Sequence, residues 1–202
     1  MEESLNDQHG VPPAPGAEQY LALDLVNSVV TSTGGRSRDF LDSPAEVTRW
    51  LFTRGLASAE AVLREDDAER LRALRTHIRT LATSSTLGRP APERALDALN
   101  EALRSAPAAA LLHWDPTRGL HREADRPDTK VIDHALARLA ADAADLLTGP
   151  DAERLIACGS TPCNRYLLRH GRRQWCSTRC GDRARAARAY ARRTRSGIPD
   201  AR

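Results

Sequence analysis

Residues 158–163 read Cys158-Gly159-Ser160-Thr161-Pro162-Cys163; twelve residues from Asn164 to Trp175 follow, then Cys176-Ser177-Thr178-Arg179-Cys180. All four cysteines of the 202-residue chain lie in this stretch. Two close pairs separated by about a dozen residues suit a tetrahedral thiolate zinc site, in which each short loop turns two sulfurs inward and the insert brings the pairs together. A disulfide framework would use the same residues, but it needs an oxidising compartment. The opening Met1-Glu2-Glu3 lacks the basic start of a secretory signal, and no apolar run approaches membrane-spanning length. The expectation is a cytoplasmic protein, free of membrane, with Zn²⁺ on Cys158, Cys163, Cys176 and Cys180. Four thiolates close the coordination sphere and leave no position for a reacting water. His170 sits beside the turn residue Gly171 and is a poorer ligand than the four thiolates.

The insert predicts a hairpin: Tyr166-Leu167-Leu168 as one strand, His170-Gly171 as the turn, and Arg173 to Trp175 as the return strand delivering Cys176. Ser177 then caps a helix that carries the last ligand. Two knuckles, a hairpin and a helix make a small treble-clef-like finger. Beyond Cys180, Arg185, Arg188, Arg192 and Arg195 share one stripe at helical spacing, while Ala184, Ala187 and Ala191 share another. Residues 151–202 hold thirteen arginines against Asp151, Glu153, Asp182 and Asp200, a net +9, which leaves −6 for the rest although the whole chain is only +3. Such a split signals that the basic end meets a polyanion. Lys130 is the only lysine, so the clustering of charge carries this inference and the choice of arginine does not.

Upstream, 41% hydrophobic and 28% charged residues with only 4% aromatics predict a soluble domain with an Ala/Leu-packed helical interior. Residues 1–15, with Pro12, Pro13 and Pro15, read as a disordered tail. Residues 17–30 read as a helix and 31–38 as a loop around Gly34-Gly35. Ser43-Pro44-Ala45-Glu46 supplies an N-cap, a first-turn proline and a capping-box glutamate for a helix that Gly55 stops. Leu71, Leu74, Ile78 and Leu81 form the buried stripe of a long helix over 67–83, with Arg70, Arg72, Arg75 and Arg79 on its outer positions. Leu96, Leu99, Ala102 and Leu103 mark a further helix, 111–123 a short β-hairpin, and 131–147 a last long helix ended by Gly149-Pro150. The expected fold is mainly α (α+β): a tail over 1–15, a helical domain with a short hairpin over 16–150, and the finger over 151–202.

Two further matches point to a family. Arg173-Gln174-Trp175-Cys176-Ser177 followed by Cys180-Gly181-Asp182-Arg183 resembles the CGNR zinc finger, named for a Cys-Gly-Asn-Arg run at the last ligand. Here Asp182 replaces the asparagine, a carboxylate near a helix start where the dipole favours it. Leu21-Ala22-Leu23-Asp24-Leu25-Val26-Asn27-Ser28 resembles the start of the ABATE domain, which precedes this finger in bacterial stress-induced transcription regulators. The resemblance implies a regulator that binds double-stranded DNA under a regulatory or sensor domain responsive to a small-molecule effector or a protein partner. Arg172, Arg173, Arg183, Arg185, Arg188 and Arg192 are then the candidate DNA contacts. Asp24 and Asn27, polar within an apolar segment, are the candidate effector residues, although buried polar groups more often satisfy nearby backbone. His113, Trp114 and His134 carry less weight in that role. No catalytic motif stands out, so the chain is not expected to be an enzyme. A metal- or redox-responsive interaction module with a thiolate switch is the alternative from another class. Single-stranded RNA binding is weaker, because Tyr166, Trp175 and Tyr190 offer few stacking platforms.

Overall fold

A computed structural model describes residues 12–32, 34–106, 110–124 and 131–196. Leu21–Val26 forms α1, burying Ala22, Leu23, Leu25 and Val26. The helix ends at Asn27, short of the expected Val30, because the β-branched run Val29–Thr31 prefers extended backbone and becomes β1. It pairs antiparallel with β2, Ser37–Asp39, in a register that sets Val29 opposite Asp39, so the expected loop over 31–38 shrinks to its turn.

Helix α2, Pro44–Thr53, begins as the sequence predicts: Ser43 accepts from the Glu46 amide at 3.3 Å and Pro44 opens the first turn. The Glu46 carboxyl does not close a capping box. The neighbouring Asp42 carboxyl, together with burial, raises its pKa. Helices α3 (Glu65–Thr86), α4 (Glu93–Ser105) and α5 (Val131–Thr148) follow. Leu71, Leu74, Ile78 and Leu81 of α3 pack with α1, with Trp50 and Leu51 of α2, and with the small-residue face of α5, where Ala135, Leu139, Ala140 and Ala143 are buried. Alanines on α5 let neighbouring helices approach closely, and the leucines interdigitate around them. In α4, Ala95 and Leu99 are buried, while Leu96 is exposed. The predicted hairpin is present as β3 (Ala110–Asp115) and β4 (Gly119–Ala124), its turn held by the Asp115 carboxylate accepting from the Thr117 and Arg118 amides.

The arginines of α3 divide. Arg70 and Arg72 point outward to Asp133 and Glu65. Arg75, expected on the outer face, is buried: its guanidinium grips both Asp39 oxygens at 2.6 and 2.5 Å and donates to Ser28 Oγ at 2.8 Å. Burial alone would raise the Asp39 pKa, but the Arg75 guanidinium and the Leu41 amide reverse that and hold the carboxyl below its ordinary value. Position 75 lies four residues after Leu71 and three before Ile78, which places it on the packed stripe.

The finger's sheet also differs from expectation. Tyr166–Leu168 is a strand, β6, but its partner is β5, Leu155–Ala157, which precedes Cys158. Residues 173–175 form no strand: the Arg173 amide closes the 171–172 turn on His170 O, and the Gln174 carbonyl accepts from Gly159. The two faces of β6 serve two interiors: Tyr166 and Leu168 join the helical core, whereas Leu167 packs with the cysteines. Residues 12–15 are not a loose tail. Ala14 is 1% exposed within the finger's small core, Pro15 O accepts from the Leu168 amide at 2.8 Å, and Pro12 O accepts from Arg165. Pro15, without an amide of its own, still offers its carbonyl as an acceptor along the edge of β6 that faces away from β5. Gly16 follows at φ +93°, where a Cβ would stand 2.5 Å from Leu168 Cγ, so only glycine fits. Residues 1–11 of the predicted tail lie outside the described residues. Helix α6, Thr178–Ser196, completes the chain's described elements. Among the described residues no helix is long and apolar enough to cross a membrane.

Candidate metal centre

The four cysteine sulfurs lie within 4.8 Å of one another, and none is in a disulfide. Cys158 and Cys163 flank the first knuckle; Cys176 precedes α6 and Cys180 sits in its first turn, whose amide donates to Ser177 Oγ at 3.2 Å as the predicted cap. Sγ–Sγ separations of 3.7 Å (Cys163–Cys176) and 3.6 Å (Cys176–Cys180) match the edge of about 3.8 Å that four sulfurs at about 2.3 Å from one zinc would have. The donor set therefore fits Zn²⁺, and four thiolates make it a closed, structural site. Crowding of the four sulfurs divides their acidities: hydrogen bonding from its cysteine neighbours lowers the pKa of Cys158, while Cys163 and Cys176 are raised. The cluster thus holds protons that a bound cation displaces. His170 is exposed, turned to the Arg154 guanidinium at 2.8 Å, and outside the sulfur cluster.

The cationic surroundings are selective. Arg183, expected at a DNA surface, is committed inward: it donates to Cys180 Sγ at 3.0 Å and to Ser160 Oγ at 3.0 Å. Arg165 is 4% exposed and directs one nitrogen to Cys176 Sγ at 3.9 Å. Two guanidiniums thus offset a formal −2 of four thiolates around one dication. Gly181 leaves room for the Trp175 ring, whose Cε3 would stand 3.3 Å from a Cβ at that position. The half-buried indole then carries the guanidiniums of Arg185 and Arg188 at 5.9 and 5.5 Å from its centroid. Arg185 also pairs with Asp182, one turn earlier. Arg172, Arg173, Arg185, Arg188 and Arg192 are exposed, and Arg173 Nε donates to Trp175 O at 3.0 Å. The alanine stripe is only partly covered, since Ala187 is exposed, and the side chain of Arg195 lies outside the described residues.

The candidate effector residues are spent on structure. Asp24 pairs with Arg54, whose guanidinium lies 4.2 Å from the Trp50 ring centroid. Asn27 acts as a surrogate strand: its Nδ2 donates to Tyr166 O at 2.9 Å and its Oδ1 accepts from the Tyr166 amide at 2.8 Å, both buried. Neither residue lines the cleft beside the metal centre or the hollow formed by Ser58, Val62, Asp67 and Ile132. Sequence reasoning missed what Arg79 does. It reaches across from α3 to donate to Val26 O and Asn164 O and lies over the Tyr166 ring, while Thr83 meets the Tyr166 hydroxyl at 2.6 Å. These contacts make a polar seam joining the finger to the helical domain. Of the lesser candidates, Trp114 is exposed, and His134 buries an Nε2 with no hydrogen-bond partner among the described residues.

Comparison with known families gives two matches. Residues 154–193 match the model described as CGNR zinc finger, which includes all four cysteines and most of α6. Residues 19–150 match the model for ABATE, described as "Putative stress-induced transcription regulator". No curated protein matches the chain significantly. With the N-terminal match spanning well over half its length and the finger matched separately, the chain belongs to the ABATE family of regulator-like proteins that carry a C-terminal CGNR zinc finger.

Proposed function

We propose that the protein is a cytoplasmic, non-enzymatic transcription regulator that grips duplex DNA through the outward face of α6, with the helical domain setting how that face is presented. The observation that carries this reading is the Trp175 platform: zinc fixes the start of α6, Gly181 seats the indole there, and the indole holds Arg185 and Arg188 side by side on an exposed surface. Prepositioned guanidiniums lose less rotamer freedom when they meet phosphates, and their fork geometry suits phosphate oxygens or the guanine edge. Arg192 lies one turn further along the same exposed face, and Arg172 and Arg173 extend the basic surface at the preceding turn. Arg183 instead supports the metal centre through Cys180 and Ser160. An effector or protein partner would act through the seam of Asn27, Arg79 and Thr83.

Fluorescence anisotropy with zinc-loaded full-length protein and a mixed-sequence duplex tests the reading. Arg188→Ala should bind about tenfold more weakly and show a salt slope shallower by about one unit. Unchanged affinity and slope would remove the α6 face from the interface.

A second reading, the thiolate-switch module, is favoured by the half-buried Cys163, which opens on a cleft and lies 3.7 Å from Cys176. Peroxide would take two electrons from this thiolate pair, forming one S–S bond and, with two protons, two waters. Zinc release at low peroxide from protein that never binds DNA would favour this reading over the first.

A further inference from the structure

The metal centre borders a cleft of about 760 Å³ between the β1–β2 hairpin and the start of α6. Among the described residues five arginines line it, Arg36 and Arg38 from the hairpin and Arg165, Arg179 and Arg183 from the finger, and no carboxylate does. Arg165 and Arg183 balance the thiolate cluster, which leaves Arg36, Arg38 and Arg179 as uncompensated positive charge. Arg38 lies over the Phe40 ring at 4.7 Å. Among the described residues Arg36 and Arg179 have no side-chain hydrogen bond or ion pair.

Two independent features make this more than a basic patch. The first turn of the 19-residue α6 opens on the cleft at Ser177, Thr178 and Arg179, so amides without an intrahelical acceptor and the positive end of the helix dipole face it. Arg165, a lining residue that is 96% buried, keeps an Nε–H that has no hydrogen-bond acceptor among the described residues, although its other two nitrogens are engaged. A buried guanidinium N–H without an acceptor costs free energy that an incoming oxyanion would recover.

We propose that this cleft is a phosphate-binding site, distinct from the Trp175 face, which takes a small phosphorylated anion and bridges the helical domain to the finger. Its size falls within the ordinary range for small-ligand sites. Arg36 and Arg38 belong to the helical domain's hairpin, and Arg165 and Arg179 belong to the finger. An anion held between them ties the two parts together at a point the polar seam does not reach.

Calorimetric titration of zinc-loaded full-length protein with pyrophosphate, and parallel duplex-DNA anisotropy, test the site in wild type, Arg36→Ala and Arg179→Ala. Both substituted side chains are exposed, so folding is not at issue. The expected result is one saturable pyrophosphate per chain, weakened about tenfold by either substitution. If neither variant changes DNA affinity, the site serves a free phosphorylated ligand. If pyrophosphate does not bind but both variants weaken DNA binding and flatten its salt slope, the same site takes a backbone phosphate. Absence of pyrophosphate binding together with unaltered DNA affinity in both variants overturns the proposal. Pyrophosphate binding by protein that shows no affinity for DNA would retain the cleft site while refuting the proposed function.

Discussion

In the helical domain Leu23, Leu25, Leu51, Leu71, Leu139 and Ala140 are wholly removed from solvent and touch across four helices. The finger's own interior is Ala14, Leu167 and three of the four cysteines, with Ile156, Cys163 and Trp175 half covered. One region is held by apolar area, the other by sulfur and by what it borrows from its neighbour. The contrast follows from size: about forty residues cannot bury enough surface to offset chain entropy without a metal or a partner. The finger has both, since the centre fixes one face of β6 while Tyr166 and Leu168 on the other join the helical core.

The sharpest way to break the comparison is to remove one sulfur. Cys176→Ala should abolish stoichiometric zinc and unfold the finger, a loss on the order of 10 kcal/mol of metal-linked free energy. The helical domain should keep its cooperative melt. Full zinc content by elemental analysis with an unchanged far-UV spectrum would contradict the assignment. A smaller effect is expected within the helical domain, where Arg75→Met should cost about 3 kcal/mol by stranding Asp39. Because the folded Asp39 pKa is depressed, its contribution is fully present above the unfolded value of about 3.9 and is lost as pH falls through the lower folded value. Urea midpoints measured from pH 7 to pH 3 should therefore fall in acid for the wild type and fall less for the variant. Equal slopes would place the acid sensitivity elsewhere.

At the boundary, Asn27→Ala removes two buried hydrogen bonds and should cost about 2 kcal/mol. The seam loosens while each side stays folded, so hydrogen exchange at Tyr166 to Leu168 should speed up with zinc content unchanged. Protection identical to wild type would show that the apolar contacts alone suffice. The smallest effect concerns the exposed Asp182–Arg185 pair. Asp182→Asn restores the family's neutral side chain, frees Arg185, and should tighten duplex binding only a few-fold, as expected for an exposed ion pair. Weaker binding by the variant would mean that the carboxylate itself contributes.

What could be read from the residues depended on whether the signal was local. The cysteine spacing, the Ser43–Pro44 start, the α3 stripe and the 111–123 hairpin are each decided within a few residues, and the structure contains them all. The partner of β6 was not legible, because Arg173–Trp175 and Leu155–Ala157 are both short and only the shared core chooses between them. Arg75 could have been placed inside from its spacing to Leu71 and Ile78; its charge argued the other way. Arg183 and Asn27 share one obstacle: a polar side chain names no partner until the fold brings Cys180 or Tyr166 beside it. Trp175 gave a usable hint, an aromatic immediately before a ligand cysteine and near an arginine series.

Pro12 to Gly16 lie outside both family matches, yet they close the edge of β6 and fill the space beside Leu167. Translation releases this segment about 150 residues before its mate on β6. Since domains fold vectorially during synthesis, the helical region can mature on the ribosome while the earlier segment waits for the finger to emerge. A recombinant fragment cut at residues 154–193 would lack that clasp, so a peptide joined to residues 12–16, or a circular permutant that brings them adjacent, is the better starting point for a minimal version.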